Sequence, residues 1–366
     1  MTRIYLICAA ESESDLYRIA QGHLQTDLTE RGQRQVQALG KSFSSLPIEC
    51  VYTSDLSPAR ATAGAISTGT AIQQRTDLRE LCLGEWKGNN WGNIAYHQMR
   101  QVEYFKTALH KWSVRDAEAP AQASRRMLQA LREIAAENEG KSVAFISHPF
   151  AIRLLLAELQ GIPLDEIHQL PLPQNAAVSM IRADGNALHL VEQSDADLLG
   201  VNKLQRQVPD FDTDMYFYPL PWLTYNDTMA DAVQCVWQEA GEDRMFDKNI
   251  LLNDASMRTT IIGFVEHEPA GFLQMGMEPG QISLLCSHPG CRKLGLGAQL
   301  IGQAVVLAHS KGWEHLRIAL PKTNPYRSFF FNHGFVSVGE TTAGRELLEK
   351  DIQFESEATE QSLQGR

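Results

Sequence analysis

Long apolar runs are missing from this 366-residue sequence, since no stretch approaches the ~20 residues that a membrane-spanning helix requires. Cysteines are few, and they form no C-x-x-C pair and show no histidine spacing suited to zinc. The cysteines are Cys8, Cys50, Cys82, Cys235, Cys286 and Cys291. Met1-Thr2-Arg3 leads directly into an apolar segment, so we expect no signal peptide. These absences predict no membrane partner, no bound metal, and free thiols in a reducing cytoplasm.

Positively charged residues are outnumbered by negatively charged ones. Lysine and arginine total 33 against 44 aspartate and glutamate residues, which gives a net charge of −11. This balance argues against nucleic acid or an anionic membrane as a partner, and it suits a cationic or amine substrate. The hydrophobic fraction of 43% is ordinary for a globular protein, and the length is sufficient for two domains. Nothing in the composition defines an oligomeric state.

The first half of the chain alternates short apolar runs with amphipathic segments. Such alternation predicts an α/β domain with a mainly parallel, doubly wound sheet and helices on both faces. Asp184-Gly185 is a strong turn signal, which predicts a hairpin between residues 175–182 and 187–192. The other predicted elements are strands at 3–8, 51–53 and 142–147 and helices at 28–43, 124–138 and 150–160.

Residues 193–210 are polar and poorly periodic, so we expect an interdomain linker there and two domains at residues 1–200 and 201–353. The acidic, Ser/Gln-rich tail at 354–366 is expected to be disordered. The second half predicts a strand at 215–222, a helix at 228–240 and a hairpin whose strands cover 259–265 and 271–277.

A basic, glycine-rich turn is the most informative motif of the second half. It follows a predicted strand at 281–286 and opens an apolar-periodic helix at 297–310. Glycines let the backbone approach a phosphate closely, and the N-terminus of a helix adds about half a positive charge at that point. The context is therefore typical of a pyrophosphate-binding turn, and the turn consists of Arg292, Lys293, Leu294, Gly295, Leu296 and Gly297.

The order of motifs from about residue 211 to 352 resembles the GNAT (Gcn5-related N-acetyltransferase) family, an α+β fold. A strand ending at Ser287-His288-Pro289 precedes the turn, a second strand covers 315–320, and Asn324 is followed by the aromatic segment 329–335. The resemblance implies acetyl-CoA or another acyl-CoA as co-substrate. It implies a coenzyme site formed by Ser287, Arg292, Lys293, Leu294, Gly295, Leu296, Gly297, Ala298, Asn324 and Phe330.

The general acid of that family is often a tyrosine four residues before the glycine at the end of this segment. Phe330 occupies that position here and has no hydroxyl group. Tyr326, one helical turn earlier, could supply a hydroxyl from the same face. An ordinary half-buried aromatic is the alternative interpretation of Tyr326. A thiolate can also leave without an acid, because a thiol pKa is only about 8–9.

Several motifs of the first half resemble the histidine phosphatase (phosphoglycerate mutase-like) superfamily in their order along the chain. They include Ile4 to Ser12, Gln21-Gly22-His23, Asp27 to Gln35, Thr53-Ser54-Asp55-Leu56, Leu78-Arg79-Glu80 and Ile146-Ser147-His148. The resemblance implies a phosphatase-like fold. In that superfamily, an Arg-His-Gly-Glu run after the first strand carries the histidine that is phosphorylated.

The residues of this chain depart from that chemistry. Ala9 stands where the nucleophilic histidine is expected, and Pro58 where a phosphate-clamping arginine is expected, whereas Glu80 and His148 are present. We therefore expect a degenerate phosphatase pocket without phosphatase activity. Cys8 is one position from the nucleophile, so on a strand its side chain points to the opposite face, and a small buried apolar role is favoured.

The acyl acceptor is an amine on either a small molecule or a protein. Glu266, His267 and Glu268 of the predicted hairpin, and His288 at the strand end, are candidates for a general base. Each also has a structural alternative, as a solvated turn or a backbone hydrogen bond. Two further hypotheses stay open: a non-enzymatic acyl-CoA sensor or scaffold, and a transferase whose donor is an aminoacyl-tRNA or a carrier protein.

Overall fold

A computed structural model describes residues 1–67, 69–195, 215–219, 234, 236, 259–265, 268–292 and 295–353. The predicted linker beyond residue 195 and the predicted tail at 354–366 lie outside these residues. So does most of the predicted helix at 228–240, although Gln234 and Val236 are helical. Within the described residues, no helix combines the length and apolar character needed to cross a bilayer.

The N-terminal unit is built on a six-stranded sheet with the order β3-β2-β4-β1-β5-β6. Strands β1 to β4 run parallel, and β5 and β6 add an antiparallel edge. The predicted doubly wound α/β class is therefore confirmed. The strands are β1 (Thr2–Cys8), β2 (Cys50–Ser54), β3 (Ile72–Arg75), β4 (Ser142–Ser147), β5 (Val178–Asp184) and β6 (Ala187–Asp195).

Helices cover both faces of this sheet. Thr29 caps the N-terminus of the second helix, because its hydroxyl accepts a hydrogen bond from the Gly32 amide at 3.0 Å. The helices are α1 (Glu13–Leu16), α2 (Glu30–Phe43), α3 (Ser57–Ile66), α4 (Trp91–His97), α5 (Met99–Thr107), α6 (Pro120–Glu137) and α7 (Pro149–Gln160).

Several boundaries differ from the sequence prediction: the strand predicted at 271–277 covers Glu268–Met275, and β6 extends to Asp195, into the predicted linker. Two further differences have a clear local cause. Helix α6 begins at Pro120 rather than at 124, because proline is well suited to the first helical turn, where its missing N–H is not needed. Strand β5 begins at Val178 rather than at 175, because Ala176 has a positive φ of 62° and so interrupts extended backbone.

The C-terminal unit contains a seven-stranded sheet with the order β12-β13-β11-β10-β9-β8-β7. Helix α8 (Leu296–Ser310) packs across it, and the short helix α9 (Arg327–Phe331) follows β11. This α+β arrangement confirms the predicted class of the second half. The strands are β7 (Met215–Pro219), β8 (Thr260–Val265), β9 (Glu268–Met275), β10 (Gln281–Ser287), β11 (His315–Leu320), β12 (Val336–Glu340) and β13 (Glu346–Asp351).

The two units meet along helix α8. Two glutamines of α8 accept hydrogen bonds across the seam. Asn90 Nδ2 donates to Gln299 Oε1 at 3.3 Å, and Asn93 Nδ2 donates to Gln303 Oε1 at 3.1 Å. Tyr17 and Ile19 of the N-terminal unit belong to the same hydrophobic cluster as the core of the second sheet. The seam therefore buries both apolar and polar side chains.

Candidate functional site

Strands β10 and β11 are parallel neighbours that separate along their length. Their pairing is confined to Gln281 opposite Arg317 and Ile282 opposite Ile318, although β10 continues to Ser287. A register shift between Ile282 and Leu284, where β10 pairs with β9, accompanies the separation. Beyond the shift, β10 therefore stays paired with β9 on one side and borders an opening in the sheet on the β11 side.

A cavity of about 640 Å³ occupies this opening. Its walls come from the separated strands, the glycine-rich turn with the start of α8, and the segment around α9. Its volume is in the range of small-molecule and cofactor sites. The lining residues are Ser283, Leu284, Leu285, Cys286, Ser287, Cys291, Arg292, Gly295, Gly297, Ala298, Ile318, Ala319, Leu320, Pro321, Asn324, Tyr326, Phe329, Phe330, His333 and Arg345.

The turn before α8 contributes the anion-binding geometry of the cavity. Gly295 precedes the helix with a φ of +92°, a conformation that glycine adopts without strain. The first N–H groups of any α-helix have no acceptor within their own helix, and they carry the positive end of its dipole. Arg292 lines the same wall. The side chain of Leu296 lies in the hydrophobic core, so only its backbone can take part in binding.

Gly297 has a packing role that the sequence did not reveal. A Cβ atom added there would lie 3.0 Å from Cζ and 3.1 Å from Cε2 of Phe329. The absence of a side chain therefore lets the Phe329 ring close against the start of α8. We expected both turn glycines to make room for a phosphate; the structure shows that one accommodates a positive φ and the other an aromatic ring. Lys293 and Leu294 lie outside the described residues.

Tyr326 and Phe330 both line the cavity, but only one of them is in a helix. Tyr326 precedes α9, so the expectation that it shares a helix face with Phe330 is wrong. Its N–H donates to Asn324 Oδ1 at 2.8 Å, which fixes the turn before the helix. The Arg292 guanidinium lies 5.3 Å from the centre of its ring. Tyr326 is 45% exposed, whereas Phe330 is buried in the core.

The candidate bases do not converge on the cavity in the described structure. His288 Nδ1 accepts a hydrogen bond from the Gly290 N–H at 3.1 Å, and His288 is not among the lining residues. This geometry favours the backbone-bonding interpretation of His288. Glu268 is exposed at the start of β9. Glu266 and His267 lie outside the described residues. Among the residues that are described, no cluster of acidic, histidine and cysteine side chains could hold a metal ion.

Ala9 and His148 lie in the interior of the N-terminal unit, with exposures of 3% and 1%. His148 Nε2 is 2.8 Å from Ser54 Oγ, and burial lowers the pKa of this imidazole to about 3. Pro58 is buried in the first turn of α3, and its carbonyl oxygen accepts a hydrogen bond from the Thr62 hydroxyl at 2.7 Å. His148 and the Pro58 carbonyl group therefore each have a hydrogen-bond partner within the N-terminal unit.

Glu80 is buried against the start of α7. Its carboxylate accepts hydrogen bonds from the N–H groups of Leu81, Phe150 and Ala151 at 2.7–3.0 Å. Burial outweighs these donors and raises the pKa of Glu80 to about 7. Cys8 faces a different hydrophobic cluster from Ala9, as predicted, and burial raises its thiol pKa. A thiol held in this way is a poor nucleophile.

Three cavity residues were not among the predicted site residues. Ser283 lies at the register shift of β10, His333 follows α9, and Arg345 precedes β13. His333 belonged to a motif quoted for the family resemblance, but its position in the wall depends on contacts with the other unit. The β12–β13 hairpin that carries Arg345 had not been predicted as a separate element.

The folds and the cavity together define a chain that joins a phosphatase-type unit to an acyltransferase-type unit. Residues 4–196 match the histidine phosphatase superfamily (branch 1), which is more than half of the chain. The protein therefore belongs to that superfamily. Residues 225–349 match the acetyltransferase (GNAT) domain, so the chain also carries a domain of the acyltransferase type. Both family resemblances inferred from the sequence motifs are confirmed.

Individual relatives match about half of the chain. Phosphoserine phosphatase 1 of Hydrogenobacter thermophilus is 25% identical over 186 residues, which cover 50% of this chain and 88% of the relative. Adenosylcobalamin/alpha-ribazole phosphatase of Salmonella typhimurium is 24% identical over 163 residues, or 44% of this chain and 81% of the relative. The structure of Bacillus stearothermophilus YhfR shares 27% identity with a TM-score of 0.53, covering 54% of this chain and 100% of that one.

Proposed function

We propose that this protein is an acyl-CoA-dependent N-acyltransferase, which transfers an acetyl or other acyl group to an amine of a small molecule or protein. One observation carries the proposal: the opening between β10 and β11 and the basic turn before α8 line a single cavity. An opening between strands exposes backbone donors and acceptors suited to an extended amide-containing chain. The turn provides N–H groups and positive potential suited to a pyrophosphate.

The cavity wall suggests how these residues divide the binding of acetyl-CoA or another acyl-CoA. The N–H groups from Gly295 to Ala298, with Arg292, would hold the phosphates. The exposed backbone of residues 283–287 would align the pantetheine arm along the open edge of β10. The thioester would then lie deeper in the opening, where an amine can approach its carbonyl carbon.

Acyl transfer requires a neutral amine, which attacks the thioester carbonyl while the C–S bond breaks. The amine loses a proton, and the departing thiolate can accept one. Phe330 offers no proton, whereas Tyr326 lines the same cavity and carries a hydroxyl group. Tyr326 is our candidate for the acid, and unassisted departure of the thiolate is the alternative. Phe330 also gives the alternative of a non-enzymatic acyl-CoA sensor its specific support.

We further propose that the N-terminal unit does not hydrolyse phosphate esters. Ala9 has no nucleophilic atom, and no guanidinium group is available from Pro58. The buried polar groups around them are already engaged: His148 with Ser54, and Glu80 with three backbone N–H groups. This arrangement supports a structural use of the degenerate pocket. As a separate part of the proposal, the chain divides into domains at residues 1–200 and 201–353.

The proposal is tested with the full chain by two measurements. Native mass spectrometry of the purified protein should reveal acetyl-CoA or a related thioester, and calorimetry should show stoichiometric binding of acetyl-CoA. Turnover is then assayed by release of free CoA thiol with a panel of amines. Binding without turnover on any amine would support the sensor alternative, and failure to bind acetyl-CoA or CoA would overturn the proposal.

A further inference from the structure

Tyr17 belongs to the N-terminal unit by sequence but lies in the core of the C-terminal unit. It is 0% exposed and packs in the same hydrophobic cluster as Leu300 and Phe330. A Cβ added to Gly302 of α8 would lie 2.7 Å from the Tyr17 Cβ, so the helix approaches this residue as closely as a glycine allows. The backbone carbonyl of Tyr17 accepts a hydrogen bond from Asn90 Nδ2 at 2.9 Å, which anchors it in its own unit.

The hydroxyl end of the Tyr17 side chain contacts His333 in this seam. The Tyr17 hydroxyl donates to the His333 carbonyl oxygen at 3.2 Å. The two rings are stacked, with centroids 6.3 Å apart and an angle of 24° between their planes. Lys350, which forms an ion pair with Glu13, places its ammonium group 5.8 Å from the centre of the Tyr17 ring. Tyr17 is thus held from both units at once.

His333 in turn contacts the part of the wall nearest the glycine-rich turn. Its Nδ1–H donates to the Phe329 carbonyl oxygen at 2.7 Å, and the two rings lie 4.3 Å apart. Phe329 closes against Gly297 at the start of α8. Both His333 and Phe329 line the cavity. A continuous series of contacts therefore connects Tyr17 to the proposed pyrophosphate-binding turn.

We propose that Tyr17 is a positioning residue for the acyl-CoA cavity, acting through His333 and Phe329. The inference rests on the proposed function and adds a role for the N-terminal unit: it supplies a part of the transferase wall. The acyltransferase-type unit by itself lacks the ring that supports His333. Loss of Tyr17 frees the His333 and Phe329 rings to rotate into the cavity, and that rotation has to be reversed when the coenzyme binds.

The test uses the full chain with acetyl-CoA as the calorimetric probe. Tyr17→Leu removes the ring and the hydroxyl group, and we expect it to raise the Kd for acetyl-CoA about tenfold or more. Tyr17→Phe keeps the stacked ring and should recover most of the affinity, within about fivefold of the unmodified protein. Asn93→Ala is the matched control, because it removes a seam hydrogen bond to Gln303 that does not involve the His333 wall. Its Kd should stay within about twofold.

A spectroscopic readout separates positioning from a general loss of stability. The Cε1–H resonance of His333, assigned with a His333→Gln variant, experiences the ring current of Tyr17. It should shift in Tyr17→Leu and stay in place in Asn93→Ala. A folded Tyr17→Leu protein with unchanged Kd would overturn the inference. Should Tyr17→Leu fail to fold, Tyr17→Met, which fills more of the buried space but also has no ring, takes its place: a Kd raised about tenfold or more supports the inference, and an unchanged Kd overturns it.

The same data distinguish the two proposals. If the unmodified protein does not bind acetyl-CoA or CoA, the proposed function fails, and the inference fails with it. If the unmodified protein binds and all seam variants bind equally well, only the role of Tyr17 fails. Affinity that falls to the same extent in Asn93→Ala and Tyr17→Leu would show that seam stability alone matters, and it would also overturn the positioning role.

Discussion

Replacement of Gly297 by valine should weaken acyl-CoA binding while leaving the fold intact. The new Cβ would lie 3.0 Å from the Phe329 ring, about half an ångström inside the usual separation of carbon atoms, and valine adds two methyl groups beyond it. The ring must then move, and the open direction is the cavity that it lines. Overpacking of this kind costs about 1–3 kcal/mol.

That range sets the size of the expected effect. If the Phe329 ring has to move back out of the cavity for the coenzyme to bind, the free-energy cost of overpacking weakens binding. Each 1.4 kcal/mol is a factor of about ten in Kd. We therefore expect the calorimetric Kd for acetyl-CoA to rise about tenfold to a hundredfold. The Tm should change little, because the ring can relax into open space and valine is no worse than glycine in a helix.

Gly64→Val provides the matched control. Gly64 is also a helical glycine, it is exposed on α3, and an added Cβ meets no atom within 4 Å. This variant should bind acetyl-CoA with the affinity of the unmodified protein. An unchanged Kd in Gly297→Val would refute both the closure of Phe329 against the turn and the placement of the pyrophosphate there.

Four further outcomes are expected. The purified protein should not hydrolyse p-nitrophenyl phosphate above background, and Ala9→His alone should not create activity; turnover by the unmodified protein would contradict this. Phe330→Tyr should change the transfer rate by a modest factor or not at all, whereas Tyr326→Phe should lower it on the order of 10²-fold if Tyr326 is the acid; full activity of the latter would favour unassisted departure. His148→Gln should reduce the loss of Tm on acidification below about pH 6.5. The pKa of His148 is about 3 in the folded protein, so between these pH values the unfolded chain binds a proton that the folded protein does not. The unmodified protein should lose stability through Glu80 as the pH rises between about 4.5 and 7, because the raised pKa of Glu80 means that the folded protein binds the proton more tightly than the unfolded chain. Glu80→Gln should remove this loss. Parallel Tm–pH curves for both variants and the unmodified protein would refute these assignments.

Local signals account for the elements that the sequence predicted well. Strands β4 and β11 have the predicted limits, because β4 is a short, mainly apolar run and β11 alternates buried with less buried residues, each bounded by turn residues. Gly161 ends α7 with a φ of 68°, as a glycine after an apolar helix indicates. The glycine-rich turn was recognisable for the same reason, since its strand, glycines and helix are contiguous in the chain.

Contacts between distant segments account for most of what was not predicted. The hydroxyl of Tyr17 reaches a carbonyl 316 residues away, and no periodicity in the sequence marks such a pair. The sequence also did not reveal why residue 297 is a glycine, because the Phe329 ring that it accommodates comes from a segment beyond the next strand. A turn glycine that serves packing and one that serves a ligand have the same sequence pattern.

The N-terminal unit has the fold of its superfamily although Ala9 and Pro58 stand where a nucleophilic histidine and a phosphate-clamping arginine were expected. An arginine cluster facing an empty pocket opposes folding through charge repulsion, and its removal relieves that repulsion. The polar groups that are present are satisfied internally, since Glu80 accepts three backbone N–H groups and His148 contacts Ser54. Under the proposed function, this unit has no phosphatase turnover, and its surface loops serve another purpose. Here the segment that follows Ala9 leads directly to Tyr17, whose side chain lies against the wall of the second cavity.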